Sequence, residues 1–477
     1  MIIKRFLPIV VILNLVYLIW VFPHLNGWVG AIFYIAELVL ISLTIVLGIC
    51  HWERTDIIDQ RFKPEGSVDV FITCYNEPLS MIWKTVRAAC AMSYKNKKIY
   101  LLDDGPRKEV KGIARHYGIN YLSRGTNKDA KAGNLNYGLE HSNSEFILTL
   151  DADQVPERRL LNKTLGHFQE GEDIAMVTTR QSFDVHGRDF NHDYLFYHYM
   201  QPGKTTEYCP TSCGSGVIYR RSSLEKIEGF QTWNMVEDLY TSYTLNQRGY
   251  RSVYINKAYT MGLAPQDIKN IYKQRGTWAL DSLRIFFRKN PFFVKGLTWR
   301  QRVHYLEITY HYLVSGFFLP ILFLFPVISL FTNYPIIFTS EYYLPIRMPG
   351  LIAIILFYGQ LNRGHESNQF WAGLWPVYLK STFLALMPGK TKYKVTQKVE
   401  AHGRRIFLVL PQLIVLTAGV IGIPFSILFF GISPNTYINA TWILLQFWWV
   451  SPIIAKGFTK KHRYTPRLHE DVGEIHV

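Results

Sequence analysis

Two aspartates directly follow an apolar run that has the length of a buried strand. Residues 146–150 read FILTL, and Asp151 and Asp153 come next, one residue apart. Aspartate is depleted in strands and is costly to bury alone, so this position needs a compensating partner. A hard divalent cation is a common partner, because it binds one or two carboxylates together with the oxygens of a diphosphate. The alternative is a pair of solvated loop acids.

Two further polar clusters follow other strand-like runs. The segment TCYNEP (73–78) follows one run, and Asp103-Asp104-Gly105 ends the next. Acidic clusters at neighbouring strand ends repel one another unless a cation lies between them. We therefore expect a metal ion and a nucleotide at these strand ends. Three such clusters weaken the alternative of solvated loop acids.

Residues 127–140, NKDAKAGNLNYGLE, add cations and small residues to this set. Lys128 and Lys131 could meet phosphate groups, and Gly133 would let the backbone approach a ligand. An ordinary helix start capped by Asp129 explains the same pattern.

A second pair of carboxylates, Glu237 and Asp238, precedes a helical segment at 239–250. A carboxylate there could act as a general base, or it could simply stabilise the helix N-terminus. The segment TSCGSG (211–216) reads as a flexible loop that enters a short strand. In QRGTW (274–278), the flat face of the tryptophan suits a sugar ring as well as it suits a core.

Strand-length apolar runs that alternate with helical patterns must position these groups. Residues 78–94 between the first two runs have apolar residues at helical spacing. This alternation predicts a mostly parallel α/β sheet, in which ligands gather at the carboxyl ends of the strands. The predicted strands are 68–73, 98–104, 119–123, 146–153 and 174–179.

Long apolar segments on both sides of the α/β region predict a membrane protein. Residues 6–23 carry no charge, and residues 28–50 contain a single acid, Glu37. Each is long enough to cross a hydrocarbon core of about 30 Å. The first is too long for a signal peptide and has no small-residue cleavage site. Four further spans are predicted around 312–331, 348–360, 406–430 and 443–455, which gives about six helices.

The basic residues orient these spans. Lys4 and Arg5 precede the first, residues 403–405 (GRR) precede the fifth, and the basic stretch 456–467 follows the last. By the positive-inside rule, both termini and the α/β domain lie in the cytoplasm, and the chain is a multi-pass protein of the plasma membrane.

The net charge of +16 suits two kinds of partner, anionic membrane lipid and anionic substrate. Nucleic acid is not expected, because the chain has no basic arm or nucleic-acid-binding motif. The five cysteines are expected to be reduced thiols in a cytoplasmic domain. Cys209 and Cys213 lack the second pair that a structural zinc site needs, so no zinc is predicted.

Taken in order, these motifs resemble the processive membrane glycosyltransferases of family 2, especially the cellulose synthase-like branch. The resemblance covers most of the chain and rests on several motifs. They are TCYNEP (73–78), LLDDG (101–105), KAGNLN (131–136), DAD (151–153), CGS (213–215), ED (237–238) and QRGTW (274–278).

The resemblance implies a GT-A-type, Rossmann-like α/β domain inserted in a bundle of about six transmembrane helices. The implied domains are two N-terminal spans (1–50), the cytoplasmic GT-A domain (51–303), two spans (304–361), an interfacial amphipathic helix with a gating loop (362–404), two spans (405–458) and a basic cytoplasmic tail (459–477). The cyclic-di-GMP-binding module of many bacterial cellulose synthases is not expected after the last span.

The resemblance also assigns roles to the site residues. The metal, Mg²⁺ or Mn²⁺, would be held by Asp151 and Asp153, and Asp238 would be the catalytic base beside Glu237. The acceptor sugar would lie against Cys213, Gly214, Gln274 and Trp278. The nucleotide-binding residues would be Thr73, Tyr75, Glu77, Asp103, Asp104, Lys131, Asp151, Arg275, Thr396 and Lys398.

Two of these residues come from a segment outside the α/β domain. KYKVTQK (392–398) follows the amphipathic stretch 368–387 and resembles the gating loop that closes over the nucleotide. A basic linker at the membrane surface is the alternative.

Two departures from the family pattern bear on the substrate. Thr277 stands where the family has a diphosphate-binding arginine, so Arg275, Arg284 or Lys398 would replace it, or the affinity for the diphosphate would be lower. Thr211 and Ser212 replace an aromatic pair, which could alter the acceptor or the linkage.

The function implied is processive, inverting polymerisation of a UDP-sugar into a β-linked polysaccharide that crosses the membrane. UDP-glucose is the preferred donor, and a UDP-N-acetylhexosamine is an alternative. A non-processive family 2 enzyme acting on a lipid carrier is a second alternative, although it usually lacks the QRGTW-like element and the gating loop. A transporter would show inverted repeats among its helices, and none is evident.

Overall fold

The computed structural model describes residues 2–57, 62–185, 189–338, 341–388 and 405–459. Within these ranges, one mixed sheet and its helices form an α/β domain, and long apolar helices lie on both sides of it in the chain. The strands are β1 (Val68–Cys74), β2 (Lys97–Asp103), β3 (Asn120–Leu122), β4 (Phe146–Asp151), β5 (Gln154–Pro156), β6 (Ile174–Phe183), β7 (Val217–Arg220) and β8 (Arg251–Gly262).

The helices divide between the α/β domain and the membrane. They are α1 (Ile2–Val21), α2 (Gly27–Cys50), α3 (Leu79–Ala91), α4 (Lys108–Tyr117), α5 (Ala130–Glu140), α6 (Leu160–Thr164), α7 (Gln201–Thr205), α8 (Arg221–Glu225), α9 (Glu237–Gln247), α10 (Ile268–Arg288), α11 (Trp299–Leu313), α12 (Leu319–Thr332), α13 (Tyr343–Leu361), α14 (Glu366–Gly373), α15 (Trp375–Leu386), α16 (Leu410–Phe430) and α17 (Pro434–Phe458).

The sheet order is β3-β2-β1-β4-β7-β6-β8-β5. Strands β1 to β4 pair in parallel, as predicted, because helices α3, α4 and α5 return the chain to the same edge. The second half is mixed, since β7 runs antiparallel to both β4 and β6. In this half β6 and β8 pair in parallel and β5 runs antiparallel to β8, so the prediction of a mostly parallel sheet holds for the first half and only in part for the second.

The strand register aligns the predicted chemistry. Cys74 is paired with Asp103 across β1 and β2, and Thr73 is paired with Asp151 across β1 and β4. Buried apolar side chains cover both faces of the sheet, so the strands are fixed in this alignment. The carboxyl ends of the three strands therefore lie at one edge, as the sequence predicts.

Among the described residues, six helical segments are long and apolar enough to cross a membrane, in agreement with the predicted number. They are Ile2–His24, Gly27–Cys50, Trp299–Thr332, Tyr343–Leu361, Ile406–Phe430 and Pro434–Phe458. The third begins at Trp299, where Thr298 and Gln301 form a capping box, which is before the predicted boundary at 304. The amphipathic stretch 368–387 is divided between α14 and α15.

Glu37 and Arg347 form an ion pair inside the membrane bundle. Arg347 Nε of α13 lies 2.6 Å from Glu37 Oε1 of α2, and both side chains are buried. Tyr17 of α1 also donates a hydrogen bond to Glu37, and the Arg347 guanidinium lies 4.7 Å from the centre of the Tyr17 ring. Asn14 of α1 accepts from Arg347 at 3.3 Å. This cluster joins three membrane helices through polar contacts.

Candidate active site

Asp151 lies at the end of β4 with about a third of its side chain exposed (34%). Thr73 Oγ1 at the end of β1 lies 3.5 Å from Asp151 Oδ1, and the Asp151 backbone N–H donates to Ser215 Oγ at 3.0 Å. Asp153 is buried, at 7% exposed. Two carboxylates thus lie at the edge where parallel strands end, and one of them is accessible.

Lys131 connects Asp151 to the carboxylates of α9. Its Nζ lies 2.7 Å from Asp151 Oδ1 and 3.0 Å from Glu237 Oε1. Burial alone would lower the pKa of Lys131, but the charges of Asp151 and Glu237 outweigh burial and raise this pKa well above its usual value. The ammonium group is therefore charged, and it partly compensates the negative charge between β4 and α9.

Asp238 is the second carboxylate at the start of α9. Its Oδ1 accepts from the backbone N–H of Leu239 at 2.6 Å, which is a local contact at the helix N-terminus. Desolvation, followed by the charge of Glu237, raises the pKa of Asp238 to about 8, against the opposing effect of Lys131. A carboxylate with a pKa near neutrality has the proton affinity that a general base needs.

Gly214 brings the loop 211–216 against this cluster. Its carbonyl accepts from Lys131 Nζ at 2.9 Å, and its φ of +78° is left-handed. A Cβ added here would lie 3.0 Å from Lys131 Nζ and 3.1 Å from Asp238 Oδ2. The left-handed backbone therefore favours glycine, and a side chain here would crowd Lys131 and Asp238. The neighbouring Cys213 is half-buried, with its Sγ 3.7 Å from Gln201 Nε2.

The segment before α9 is held by a carboxylate that the sequence reading missed. The backbone N–H of Val236 donates to Asp281 Oδ2 at 2.6 Å, and Asn234 Nδ2 donates to the Asp281 carbonyl at 3.0 Å. Burial raises the pKa of Asp281 to about 7. Asp281 lies on α10, three residues after Trp278, so one helix positions both the predicted acceptor residue and the start of α9. A carboxylate on the buried face of an amphipathic helix is the sequence signal that indicates such a structural role.

Asp103 organises the turn after β2. Its carboxylate is buried and accepts from the backbone N–H groups of Gly105 and Arg107, each at 3.1 Å, and from the Tyr121 hydroxyl at 3.0 Å. A Cβ on Gly105 would lie 2.5 Å from the Tyr75 carbonyl oxygen. The turn therefore packs tightly on TCYNEP, and a nucleotide contact for Asp103 stays a prediction.

Asp104 forms a two-point ion pair with Arg124, at 2.5 Å from Nε and 2.8 Å from the terminal nitrogen. Arg124 also donates to the carbonyls of Lys128 and Ala130, which lie just before or at the start of α5. Asp104 thereby helps to fix the helix that carries Lys131. The sequence reading did not foresee Arg124 in this role.

Glu77 is half-buried near Asp153. Its Oε2 accepts from the backbone N–H of Tyr75 at 2.7 Å. Burial raises the pKa of Glu77 against this hydrogen bond, and the charge of Asp153 adds to the increase. A further carboxylate thus contributes negative potential to the same strand ends.

Arg275 lies in a different setting from the one predicted. It is buried and forms a two-point ion pair with Asp193, at 2.9 and 3.0 Å. Its guanidinium lies 4.7 Å from the Trp278 ring centre and 5.0 Å from that of Trp371. These contacts explain why the guanidinium is buried: it packs against the Trp278 ring. A diphosphate-binding role for Arg275 remains a prediction.

The other residues of this element are less constrained. Gln274 and Trp278 are half-buried on α10. Thr277 Oγ1 donates to the Lys273 carbonyl at 2.9 Å within the helix. Thr277 therefore supplies no replacement for the arginine of the family pattern. Thr396 and Lys398 lie outside the described residues.

The donor set fits a hard divalent cation. Asp151, Asp153 and Glu77 supply only oxygen ligands, which Mg²⁺ and Mn²⁺ prefer. Among the described residues, Lys131 contacts both Asp151 and Glu237, so one ammonium group faces two carboxylates. This grouping of carboxylate oxygens at the strand ends is the observation that favours a bound metal.

The α/β domain has the GT-A fold of glycosyltransferases. Residues 69–228 match the family described as Glycosyl transferase family 2, and residues 226–362 match the family described as Cellulose synthase. Together the two matches cover residues 69–362, so this part of the chain is similar to glycosyltransferase family 2 and to cellulose synthases.

Curated relatives agree with these matches. Cellulose synthase 1 of Komagataeibacter xylinus is 30% identical over 481 residues, which cover 93% of this chain and 31% of that protein. The UDP-forming catalytic subunit of cellulose synthase from Pseudomonas fluorescens (strain SBW25) is 31% identical, over 86% of this chain and 59% of its own length. The chain therefore spans less than two thirds of these relatives.

Among solved structures, a mannosyltransferase from Pyrobaculum calidifontis in complex with GDP-Man and Mn²⁺ has a similar fold. The TM-score is 0.57 at 17% identity, over 75% of this chain and 98% of that one. This likeness concerns the fold alone.

Proposed function

We propose that this membrane protein is a processive, inverting hexosyltransferase that polymerises UDP-glucose into a β-linked polysaccharide and passes it across the plasma membrane. The observation that carries the proposal is the placement of Asp238 beside Gly214, within the charge cluster that Lys131 forms with Asp151. The cellulose synthase relatives support glucose as the donor sugar. The GT-A domain and both termini would face the cytoplasm, as the distribution of basic residues favours.

The donor would lie across the strand ends. Asp151 and Asp153 would hold Mg²⁺ or Mn²⁺, which would neutralise the negative charge that develops on the departing UDP. Thr73 and Tyr75 would contact the nucleotide from the segment after β1. Lys131, whose ammonium lies 2.7 Å from Asp151, would contribute positive charge beside the diphosphate.

The acceptor would approach from the side of α9 and α10. Asp238 would take the proton from the attacking hydroxyl of the terminal sugar, whose oxygen forms a bond to the anomeric carbon. The bond from that carbon to the UDP oxygen breaks on the opposite face, so an α-linked donor gives a β-linked product. Gln274, Trp278 and Cys213 would hold the sugar while Gly214 keeps the space open.

An aromatic cluster of α11, α14 and α15 packs near Trp278, on the side from which the acceptor would approach. Trp371 of α14 stacks on Tyr378 of α15 with ring centres 5.5 Å apart, and Tyr312 lies 6.0 Å from Trp371. Aromatic faces bind sugar rings without fixing them tightly. In contrast, Gln412 donates to the carbonyl of Gly373 at 2.7 Å, so this intramembrane amide has a packing partner between helices.

A non-processive enzyme that glycosylates a lipid carrier is the second candidate. The nucleotide site would be the same, and the difference would lie in the acceptor. The half-buried Trp278 and its aromatic neighbours favour a chain of sugars as the acceptor.

The direct test is release of UDP by the purified, detergent-solubilised protein with Mg²⁺ or Mn²⁺. A panel of UDP-sugars should give release with one donor, and the products are sized before and after glycosidase treatment. We expect UDP-glucose to give a large, β-glucosidase-sensitive product. A short or lipid-linked product would support the second candidate, and release with a UDP-N-acetylhexosamine alone would replace glucose as the donor.

Removing a predicted metal ligand should raise the metal requirement. In Asp153→Asn, loss of one anionic ligand is expected to shift the Mn²⁺ concentration for half-maximal UDP release upward by at least about tenfold. The measurement is UDP release over a Mn²⁺ titration, with Mn²⁺ binding followed in parallel by electron paramagnetic resonance. The matched control is Asp173→Asn, whose carboxylate pairs with Arg251 at the surface. Identical titrations for both variants would contradict the assignment.

A further inference from the structure

A cavity of about 480 Å³ lies where α1 and α13 meet the α/β domain. It is separate from the strand ends and Asp238. Ile2 begins α1, and Leu356 lies near the end of α13, so the cavity is on the predicted cytoplasmic side of the membrane. It is lined by Ile2, Tyr194, Tyr199, Leu356, Gln360 and Arg363, among others.

One wall of the cavity is apolar and faces lipid. Leu356 is 47% exposed on a helix that is apolar enough to span the membrane. Ile352, one turn earlier on α13, is also 47% exposed. In a bilayer, exposed aliphatic side chains on a spanning helix contact acyl chains. A cavity that adjoins such a surface is accessible to a lipid molecule from its side.

Arg363 also lines the cavity, and two further arginines contact its lining residues or their neighbours. The Arg363 guanidinium lies 4.5 Å from the Tyr194 ring centre, and Tyr194 stacks on His198 at 4.0 Å. Arg180 then contacts His198 Nε2 at 2.8 Å. The Arg54 guanidinium lies 5.2 Å from the ring centre of Tyr199, which lines the cavity.

These cations exceed the carboxylates that contact them. Asp56 lies 3.4 Å from Arg54, and it is the carboxylate within ion-pair distance of these three arginines among the described residues. Burial, followed by the charges of Arg180 and Arg363, lowers the pKa of His198 to about 4. The imidazole is therefore neutral at cytoplasmic pH, and the positive potential comes from the arginines. Such a potential beside an apolar wall suits a phosphate that carries acyl chains.

Arg363 has an energetically unfavourable backbone conformation. Its φ is +55°, a left-handed conformation that is uncommon for a residue other than glycine, and it directly follows the last turn of α13. Strained backbone of this kind clusters at binding and active sites, which agrees with a functional role for the Arg363 guanidinium.

We propose that this cavity is a binding site for one anionic phospholipid. Its headgroup phosphate would lie on the Arg363 guanidinium, with Arg54 and Arg180 adding to the potential. One acyl chain would follow Ile2 and Leu356 into the bilayer. The bound lipid would hold the first and fourth spans against the α/β domain, since the lining residues come from all three.

Native mass spectrometry of the purified full-length protein tests the site without reference to enzymatic activity. The probes are phosphatidylglycerol, phosphatidylcholine and glycerol 3-phosphate. We expect one phosphatidylglycerol to be retained, with phosphatidylcholine retained at least about tenfold more weakly. Equal retention of the two lipids would overturn the proposal, and so would retention of glycerol 3-phosphate in place of phosphatidylglycerol.

A matched pair of variants locates the binding. Arg363→Asn keeps a residue that tolerates left-handed backbone, and we expect it to weaken phosphatidylglycerol retention by about tenfold or more. Lys295→Gln removes one exposed positive charge from the loop before the third span and should leave retention unchanged. Leu356→Trp should also lower retention, because it fills the lipid-facing side of the cavity. Equal retention in Arg363→Asn and Lys295→Gln would place the lipid elsewhere and contradict the proposal.

Discussion

Replacing Asp238 with asparagine should lower the rate of sugar transfer by about 10²–10⁴-fold, because the amide has no lone pair basic enough to take the hydroxyl proton. The substitution keeps the size of the side chain, and its carbonyl can still accept from the Leu239 backbone N–H. The start of α9 should therefore be unchanged. Asp238 is not among the residues predicted to bind the nucleotide, so the variant should bind UDP with nearly wild-type affinity. The measurement is single-turnover transfer together with calorimetric titration of UDP.

Two further variants make this result specific. Asp173→Asn changes a surface carboxylate of the same type and should transfer sugar at the wild-type rate. Glu237→Gln removes the carboxylate that pairs with Lys131 at 3.0 Å, so it tests the other acid of this helix start. If Asp238→Asn turned over normally while Glu237→Gln did not, the base would be Glu237. If both were active, the general base would lie outside α9.

The strand ends of this site could be predicted because their geometry follows from local rules. Parallel strands connected by helices end at one edge, so Thr73, Asp103 and Asp151 were placed together from their positions after apolar runs. The second half of the sheet could not be predicted in the same way. Its pairing of β7 with β4 depends on contacts between segments about 70 residues apart, which no local periodicity records.

The supports of the site were missed for the same physical reason. Asp281 bonds to Val236 across 45 residues, and Arg275 pairs with Asp193 across 82 residues. Asp281 and Asp193 are single charged residues with no motif around them. The QRGTW motif predicts a phosphate-binding role for Arg275 from its residue type, but the motif contains no information about its partner Asp193. A buried carboxylate on an amphipathic helix, as at Asp281, was the signal that could have been used.

The ion pair between Glu37 and Arg347 is another contact between residues far apart in the sequence, and it should contribute strongly to stability. The sequence singled out Glu37 only as one acid within an apolar span. In the structure it is fully buried and bonded to Arg347 and Tyr17, which come from two other helices. Because each charge has a partner, the pair can remain buried in a low-dielectric interior. Removing one partner leaves the other charge buried and unpaired, which strongly destabilises the fold.

Glu37→Gln should therefore destabilise the bundle by about 3–5 kcal/mol, because it leaves the Arg347 guanidinium buried without a counter-charge. The measurement is the free energy of unfolding in mixed detergent micelles, followed by tryptophan fluorescence. Adding Arg347→Met to this variant should recover most of the loss, since no unpaired charge then remains. The surface pair gives the comparison, because Asp173→Asn should cost less than about 1 kcal/mol. If Glu37→Gln were no less stable than Asp173→Asn, the intramembrane pair would not hold the first, second and fourth spans together.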